Sequence, residues 1–121
     1  MVLDERLSHL VEAGSDFFLM PSIFEPCGLN QMYSQRYGTP PLASDVGGLH
    51  DTVVDIRENE EAGTGLLFQP ELEEFDKVLN YSLGLFSSNE TMEKMRRNGM
   101  LRDFSWKNVV KEYENLYLES L

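Results

Sequence analysis

The sequence predicts an α/β protein: a partial doubly wound, Rossmann-like parallel sheet of about three strands with flanking helices. Three observations carry this. Short apolar runs without alternation occur at "DFFLM", "PPLAS" and "GTGLLF", the pattern of strands covered on both faces. Segments with apolar residues at helical spacing lie between and after those runs. The junctions carry glycine or proline, as at Gly14, Pro21, Gly38 and Gly47-Gly48, residues that break regular structure. Strands alternating with helices imply parallel βαβ units with right-handed crossovers. A doubly wound domain usually carries about six strands, so three read as half of one.

The elements follow in order. Leu3, Leu7, Leu10 and Val11 recur at helical spacing, and Gly14 stops that helix. "DFFLMPS" is a short, fully buried strand. Gly28 to Tyr37 forms the next helix, closed by Gly38. "TPPLASD" is the second strand, with Pro40 and Pro41 at its entry, where a missing donor costs least. Gly47-Gly48 makes a turn, and "LHDTVVDI" a short helix carrying Leu49, Val53 and Ile56. "GTGLLF" is the third strand. Leu72, Phe75, Leu79 and Phe86 line one face of a further helix; Met92 and Met95 mark another, ended at Gly99. Ser105 is a good N-cap for a last helix, with Trp106, Val109, Val110, Tyr113, Leu116 and Tyr117 in one stripe. These stripes read as core surface.

Composition narrows the class. A chain of 121 residues suffices for one modest domain, and 41% hydrophobic with 26% charged residues is ordinary for a globular protein. No apolar run approaches the roughly 20 residues of a membrane span. "MVLDERLSHL" lacks the basic region and apolar core of a secretory signal. Cys27 is the only cysteine, so no internal disulfide forms and the cytoplasm is the expected location. A net charge of -11 argues against nucleic acid and against an anionic membrane as partners. The acidic runs "RENEE" and "ELEEFD" read as a solvated loop and a helix start, without the pattern of a calcium loop. Neither a Walker-type loop nor a GxGxxG fingerprint is present. His9 and His50 have no partner at ligand spacing and read as surface or satisfied residues.

The chemistry gathers where strands end. In open α/β sheets, ligands bind at the carboxyl ends of the strands. Glu25, Cys27 and Gly28 follow the first strand and Gly47 and Gly48 the second, so both loops should line one crevice. Gly28 lets the backbone approach a ligand closely. The amides of Gly28, Leu29 and Asn30 would open a helix and offer partial positive charge to a phosphate. Glu25, just before them, is placed to accept hydrogen bonds from hydroxyl groups. Together these suit a sugar joined to a diphosphate. Each has a plainer alternative: Glu25 as a cap or salt-bridge residue, Cys27 as a small packed hydrophobe, and the glycine pair as turn chemistry.

The long ordered pattern "PSxFEPCGLxQ", then "YG", then "GGLxDTV", with "GTGLLF" and "DFSW" further on, resembles the bacterial glycogen synthase and plant starch synthase family. The resemblance implies that residues 1–121 form the C-terminal part of the nucleotide-sugar-binding domain of a two-domain GT-B glycosyltransferase. The N-terminal domain and the first half of this domain would then be absent. It implies transfer of glucose from ADP-glucose or UDP-glucose to the non-reducing end of an α-1,4-glucan, with retention. By the same resemblance Glu25 is the catalytic residue holding the donor glucose, and Cys27, Gly28, Leu29, Asn30, Gly47 and Gly48 line the donor site; the residues in view require no metal, and no cofactor is expected. Tyr33 stands where related retaining transferases carry a second glutamate, as the synthases have it.

The family usually has threonine at Val46, often arginine at Ile23 and often threonine at Asn30. A fragment carrying part of the donor site is expected to be inactive alone. The rival is a non-catalytic interaction module that keeps the fold without donor binding; a third reading keeps the fold and changes the sugar. A half-sheet exposes an edge, so self-association is also expected.

Overall fold

A computed structural model describes residues 4–120. The sheet has three parallel strands in the order β1 (Phe18–Met20), β2 (Pro41–Ser44) and β3 (Leu66–Phe68). Leu19 pairs with Leu42, and Leu42 with Leu66, so these three side chains point to one face. On that face Leu42, Leu66 and Phe68 pack with Val78 and Leu85 of α4 (Leu72–Leu85) and with Met92 and Met95 of α5 (Asn89–Leu101). On the other, Ala43 packs with Leu49 of α3 (Gly47–Thr52), Val53, Met20 and Leu67. Helices cover both faces of a parallel sheet, which is the expected doubly wound arrangement.

Sheet order corrects one expectation. β2 is the strand buried at every residue, because it lies between the other two. β1 is an edge strand whose Leu19 is exposed. The opposite edge, at β3, is occupied by side chains. The Leu67 N–H donates to Asp55 Oδ2 at 2.8 Å, and an Arg57 Nη donates to the Leu67 carbonyl at 2.5 Å. Asp55 itself bridges to Gly65 in parallel. The outward backbone groups of Leu67 are thus taken, so an incoming strand finds no free donor or acceptor at that residue.

The helices begin and end close to the expected places, with informative exceptions. α1 (Glu5–Gly14) is capped by Asp4, whose Oδ1 accepts the Leu7 N–H. Its apolar stripe does not pack: Leu7, Leu10 and Val11 are exposed, while Glu12 is buried; Leu3 lies outside the described residues. The Thr39 hydroxyl, buried against this helix, donates to the Glu12 carbonyl at 2.6 Å. α2 (Asn30–Tyr37) starts two residues later than expected and ends at Gly38, whose φ of 78° suits glycine.

α3 takes Gly47 and Gly48 into its own first turn and ends at Thr52, so Ile56 lies beyond it. α4 buries Val78, Ser82 and Leu85, and leaves Leu72 and Phe86 exposed. α5 runs past Gly99 to Leu101. A Cβ at Gly99 would stand 3.3 Å from Gln35, so this glycine marks where α5 crosses α2. α6 (Trp106–Glu119) has Ser105 at its N-cap position, though its side chain makes no cap bond. The stripe from Trp106 to Tyr117 is exposed and not part of the core. Helical spacing reports a face, and whether that face is covered depends on what lies opposite.

Candidate functional site

Because β1 and β2 are adjacent and parallel, their exits lie side by side. The Gly48 N–H donates to the Glu25 carbonyl at 3.1 Å, joining the two loops directly. A Cβ on Gly47 would overlap the Glu25 carbonyl oxygen, and one on Gly48 the Cys27 carbonyl oxygen. The glycine pair is therefore where two backbones touch. It is more than a plain turn, and it brings Glu25, Cys27, Gly47 and Gly48 together as the sequence suggested.

Glu25 is half-buried, and among the described residues its carboxylate makes no hydrogen bond or ion pair. It is neither a helix cap nor a salt-bridge partner there, because Leu29 is the N-cap of α2 and no side chain caps that helix. Gly28 has φ 72°, the left-handed region that favours glycine. The amides of Met32 and Tyr33 both donate to the Leu29 carbonyl at 3.0 Å. Those of Leu29, Asn30 and Gln31 have no acceptor among the described residues. This is the unsatisfied first turn that attracts anions. Leu29 and Asn30 are exposed beside it. Cys27 is exposed too, its Sγ 3.5 Å from the Gly28 carbonyl, so it is not a packed hydrophobe.

The departures from the family pattern have visible places. Val46 is the N-cap of α3 and contributes no side-chain cap bond; it packs instead against the Ala43–Leu49–Val53 cluster. Ile23 is exposed. The Tyr33 ring lies edge-on to His9, 6.5 Å between centroids.

Gln31, the last residue of the "PSxFEPCGLxQ" pattern, is fully buried. Its Nε2 lies within hydrogen-bond distance of the Cys27 carbonyl (3.1 Å), the Gly28 carbonyl (2.9 Å) and the Thr52 hydroxyl (3.0 Å). The signal for it was there: an uncharged amide at a fixed offset from two loop residues whose carbonyls need donors.

His50 and Asp55 are both perturbed. Asp45, the residue after β2, accepts from His50 Nδ1 at 2.5 Å and from Gln69 Nε2 at 3.0 Å. That hydrogen bond and the Asp45 charge raise the His50 pKa above its ordinary value, and His50 sits on the surface as read. Burial pushes the Asp55 carboxyl up, but bonds from Arg57 and from the Leu67 and Arg57 amides outweigh it and hold the pKa below the usual range. Among the described residues no three His, Cys, Asp or Glu side chains cluster to hold a metal ion, and no helix is long and apolar enough to cross a membrane.

Comparison with known proteins agrees with this fold. The sequence profile described as "Glycosyl transferases group 1" matches residues 2–102. Glycogen synthase from Opitutus terrae is 51% identical over 119 residues, 98% of this chain and 25% of that protein. Glycogen synthase from Nitrosospira multiformis is 50% identical, again over 98% of this chain and 25% of its own length. The chain thus spans about a quarter of the curated relatives it matches. Among solved structures, the catalytic domain of starch synthase IV from Arabidopsis thaliana, bound to ADP and acarbose, superposes with a TM-score of 0.88 at 38% identity. That match covers 99% of this chain and 25% of the other. A sucrose-phosphate synthase from Thermosynechococcus elongatus gives a TM-score of 0.71 at 26% identity, covering 97% and 28%.

Proposed function

The chain belongs to the group 1 glycosyltransferases, and on that premise we propose that its two strand-exit loops form the donor-sugar wall of a glucan synthase cleft. Residues 1–121 are read as the C-terminal part of the nucleotide-sugar-binding domain of such an enzyme. One observation carries the reading. The Gly48-to-Glu25 hydrogen bond joins the loop after β1, which carries both the unengaged Glu25 carboxylate and the unengaged amides of Leu29 and Asn30, to the glycine pair at the exit of the neighbouring parallel strand.

In this reading the Glu25 carboxylate accepts hydrogen bonds from the donor glucose hydroxyls and favours the positive charge that grows at the anomeric carbon. The exposed amides of Leu29 and Asn30 face the departing diphosphate, supplying preorganised electrostatic stabilisation. Cys27, Gly28, Gly47 and Gly48 shape the floor against the sugar. ADP-glucose is the favoured donor over UDP-glucose, because the solved starch synthase holds ADP. The acceptor is the non-reducing end of an α-1,4-glucan, and the transfer retains anomeric configuration.

A transferase brings reacting groups from both walls of its cleft to about 3–3.5 Å. A chain spanning a quarter of its relatives' length is expected to supply one wall and to transfer little by itself. Incubation with radiolabelled ADP-glucose and glycogen is expected to leave the polymer unlabelled above background. Appreciable labelling contradicts this. The second reading, an interaction module without donor binding, draws on Val46, which leaves the start of α3 without the hydroxyl cap a threonine could give. Calorimetry distinguishes the two: saturable ADP-glucose binding favours the donor wall, and none at millimolar nucleotide favours the module.

A further inference from the structure

The two loops touch through backbone, but backbone contact alone does not fix their spacing. A closed circuit of hydrogen bonds does. The Gly48 N–H donates to the Glu25 carbonyl, and the Gly48 carbonyl accepts from the Thr52 hydroxyl at 2.5 Å. The same Thr52 oxygen accepts from Gln31 Nε2 at 3.0 Å. Gln31 Nε2 also reaches the Cys27 and Gly28 carbonyls, two residues from where the circuit began. Three acceptors around one amide atom identify it as the nitrogen. Gln35 backs the arrangement from the next turn, its Nε2 donating to the carbonyls of Gln31 and Thr52, each at 3.1 Å. Gln31 and Gln35 are both buried. Their Nε2 groups are engaged while each Oε1 is buried without a partner among the described residues, so the constraint on the loops comes from the bonds at the two nitrogens.

We propose that Gln31 and Thr52 are positioning residues: together they lock the loop after β1 to the start of α3, and so fix the backbone from which the Glu25 side chain extends relative to the start of α2. This rests on the donor-wall reading for its purpose, though the lock itself does not. Neither side chain needs to touch substrate. Their effect passes through the carbonyls of Cys27, Gly28 and Gly48. Gly28 adds a constraint, since a Cβ there would stand 2.5 Å from Gln31 Oε1. The amide of Gln31 therefore fills the space directly beneath the glycine.

The test uses the whole chain with Thr52→Val, which keeps shape and removes the hydroxyl, and Thr52→Ser, which restores it. Hydrogen exchange at the Gly48 amide is compared with exchange at Ala43 in the central strand, and ADP-glucose affinity is measured on the same samples. Loss of one shared hydrogen bond predicts about tenfold faster exchange at Gly48 and about tenfold weaker ADP-glucose binding in Thr52→Val. Ala43 should be unchanged, and Thr52→Ser should return both readouts to wild type. Gln31→Leu should reproduce the effect at Gly48.

Unchanged Gly48 exchange in Thr52→Val overturns the lock. Equal acceleration at Gly48 and Ala43 also overturns it, because the residue is then merely stabilising. If the wild type binds no ADP-glucose while Gly48 exchange responds as expected, the lock stands and the donor-wall reading falls.

Discussion

Replacing Asp55 by alanine is expected to destabilise the chain by about 3 kcal/mol, the range for orphaning one partner of a buried ion pair, reduced because Arg57 is partly solvated. Asp55 is buried, and its carboxylate accepts four hydrogen bonds: from the Arg57 amide, twice from the Arg57 guanidinium, and from the Leu67 amide. Truncation leaves the Leu67 N–H at the edge of β3 without its acceptor and frees Arg57 from the only carboxylate it contacts among the described residues. Urea denaturation measures the change, and a loss under about 0.5 kcal/mol, the scatter of surface substitutions, would contradict the account.

The same residue sets a pH dependence. Its folded pKa lies below its ordinary value, so its contribution is fully present above the unfolded carboxyl value of about 3.9 and fades as pH falls through the folded value. In Asp55→Ala that part of the acid limb should be missing. Stability therefore falls less steeply in the variant as pH drops below about 3.9.

Gly48→Ala is the second large effect, expected at about 3 kcal/mol, the upper end for forcing an extra methyl into a filled site. The reason is what stands in the way. The new Cβ would overlap the Cys27 carbonyl and crowd the Cys27 Cα, and these backbone atoms cannot rotate aside as a side chain can. Relief requires the loops to part, which breaks the Gly48–Glu25 hydrogen bond. Gly84 gives the contrast. It sits inside α4 with open space around it, so Gly84→Ala should stabilise by about 0.5–1 kcal/mol through helix propensity. Denaturation midpoints of the two variants should move in opposite directions. A Gly48→Ala midpoint equal to wild type would mean that the loops do not abut.

Much of this was legible in residue order. Pro40-Pro41, the apolar "GTGLLF" and Gly38 fixed two strand starts and a helix end, because each acts through its own backbone chemistry. Glu25 and the glycine pair could be placed together because parallel strands deliver their exits to one side. What was illegible depends on neighbours distant in sequence. "DFFLM" and "PPLAS" are equally apolar, and only strand order makes β2 central and β1 an edge. Gly99 looks like a helix stop until Gln35 of α2 is found against it.

The acidic run beginning at Arg57 looked solvated, and its Glu60 and Glu61 are indeed exposed beside Lys94. Arg57 itself turns inward to Asp55, a pairing that local charge pattern does not distinguish from a surface one. The apolar stripes of α1 and α6 have the right period, but both are left exposed among the described residues. The role of Gln31 is poorly legible in sequence, because a polar residue in a helix reads as surface by default.

The donor site is tested most directly by comparing ADP-glucose with ADP on the wild type and on Glu25→Ala. Among the described residues Glu25 has no partner to orphan, so the variant should keep wild-type stability within about 0.5 kcal/mol. The wild type should bind ADP-glucose more tightly than ADP, by about tenfold or more for hydrogen bonds to a charged group, and the variant should bind the two equally. If Glu25→Ala retains the full preference for the glucosylated nucleotide, the carboxylate does not hold the sugar, and the site lies elsewhere.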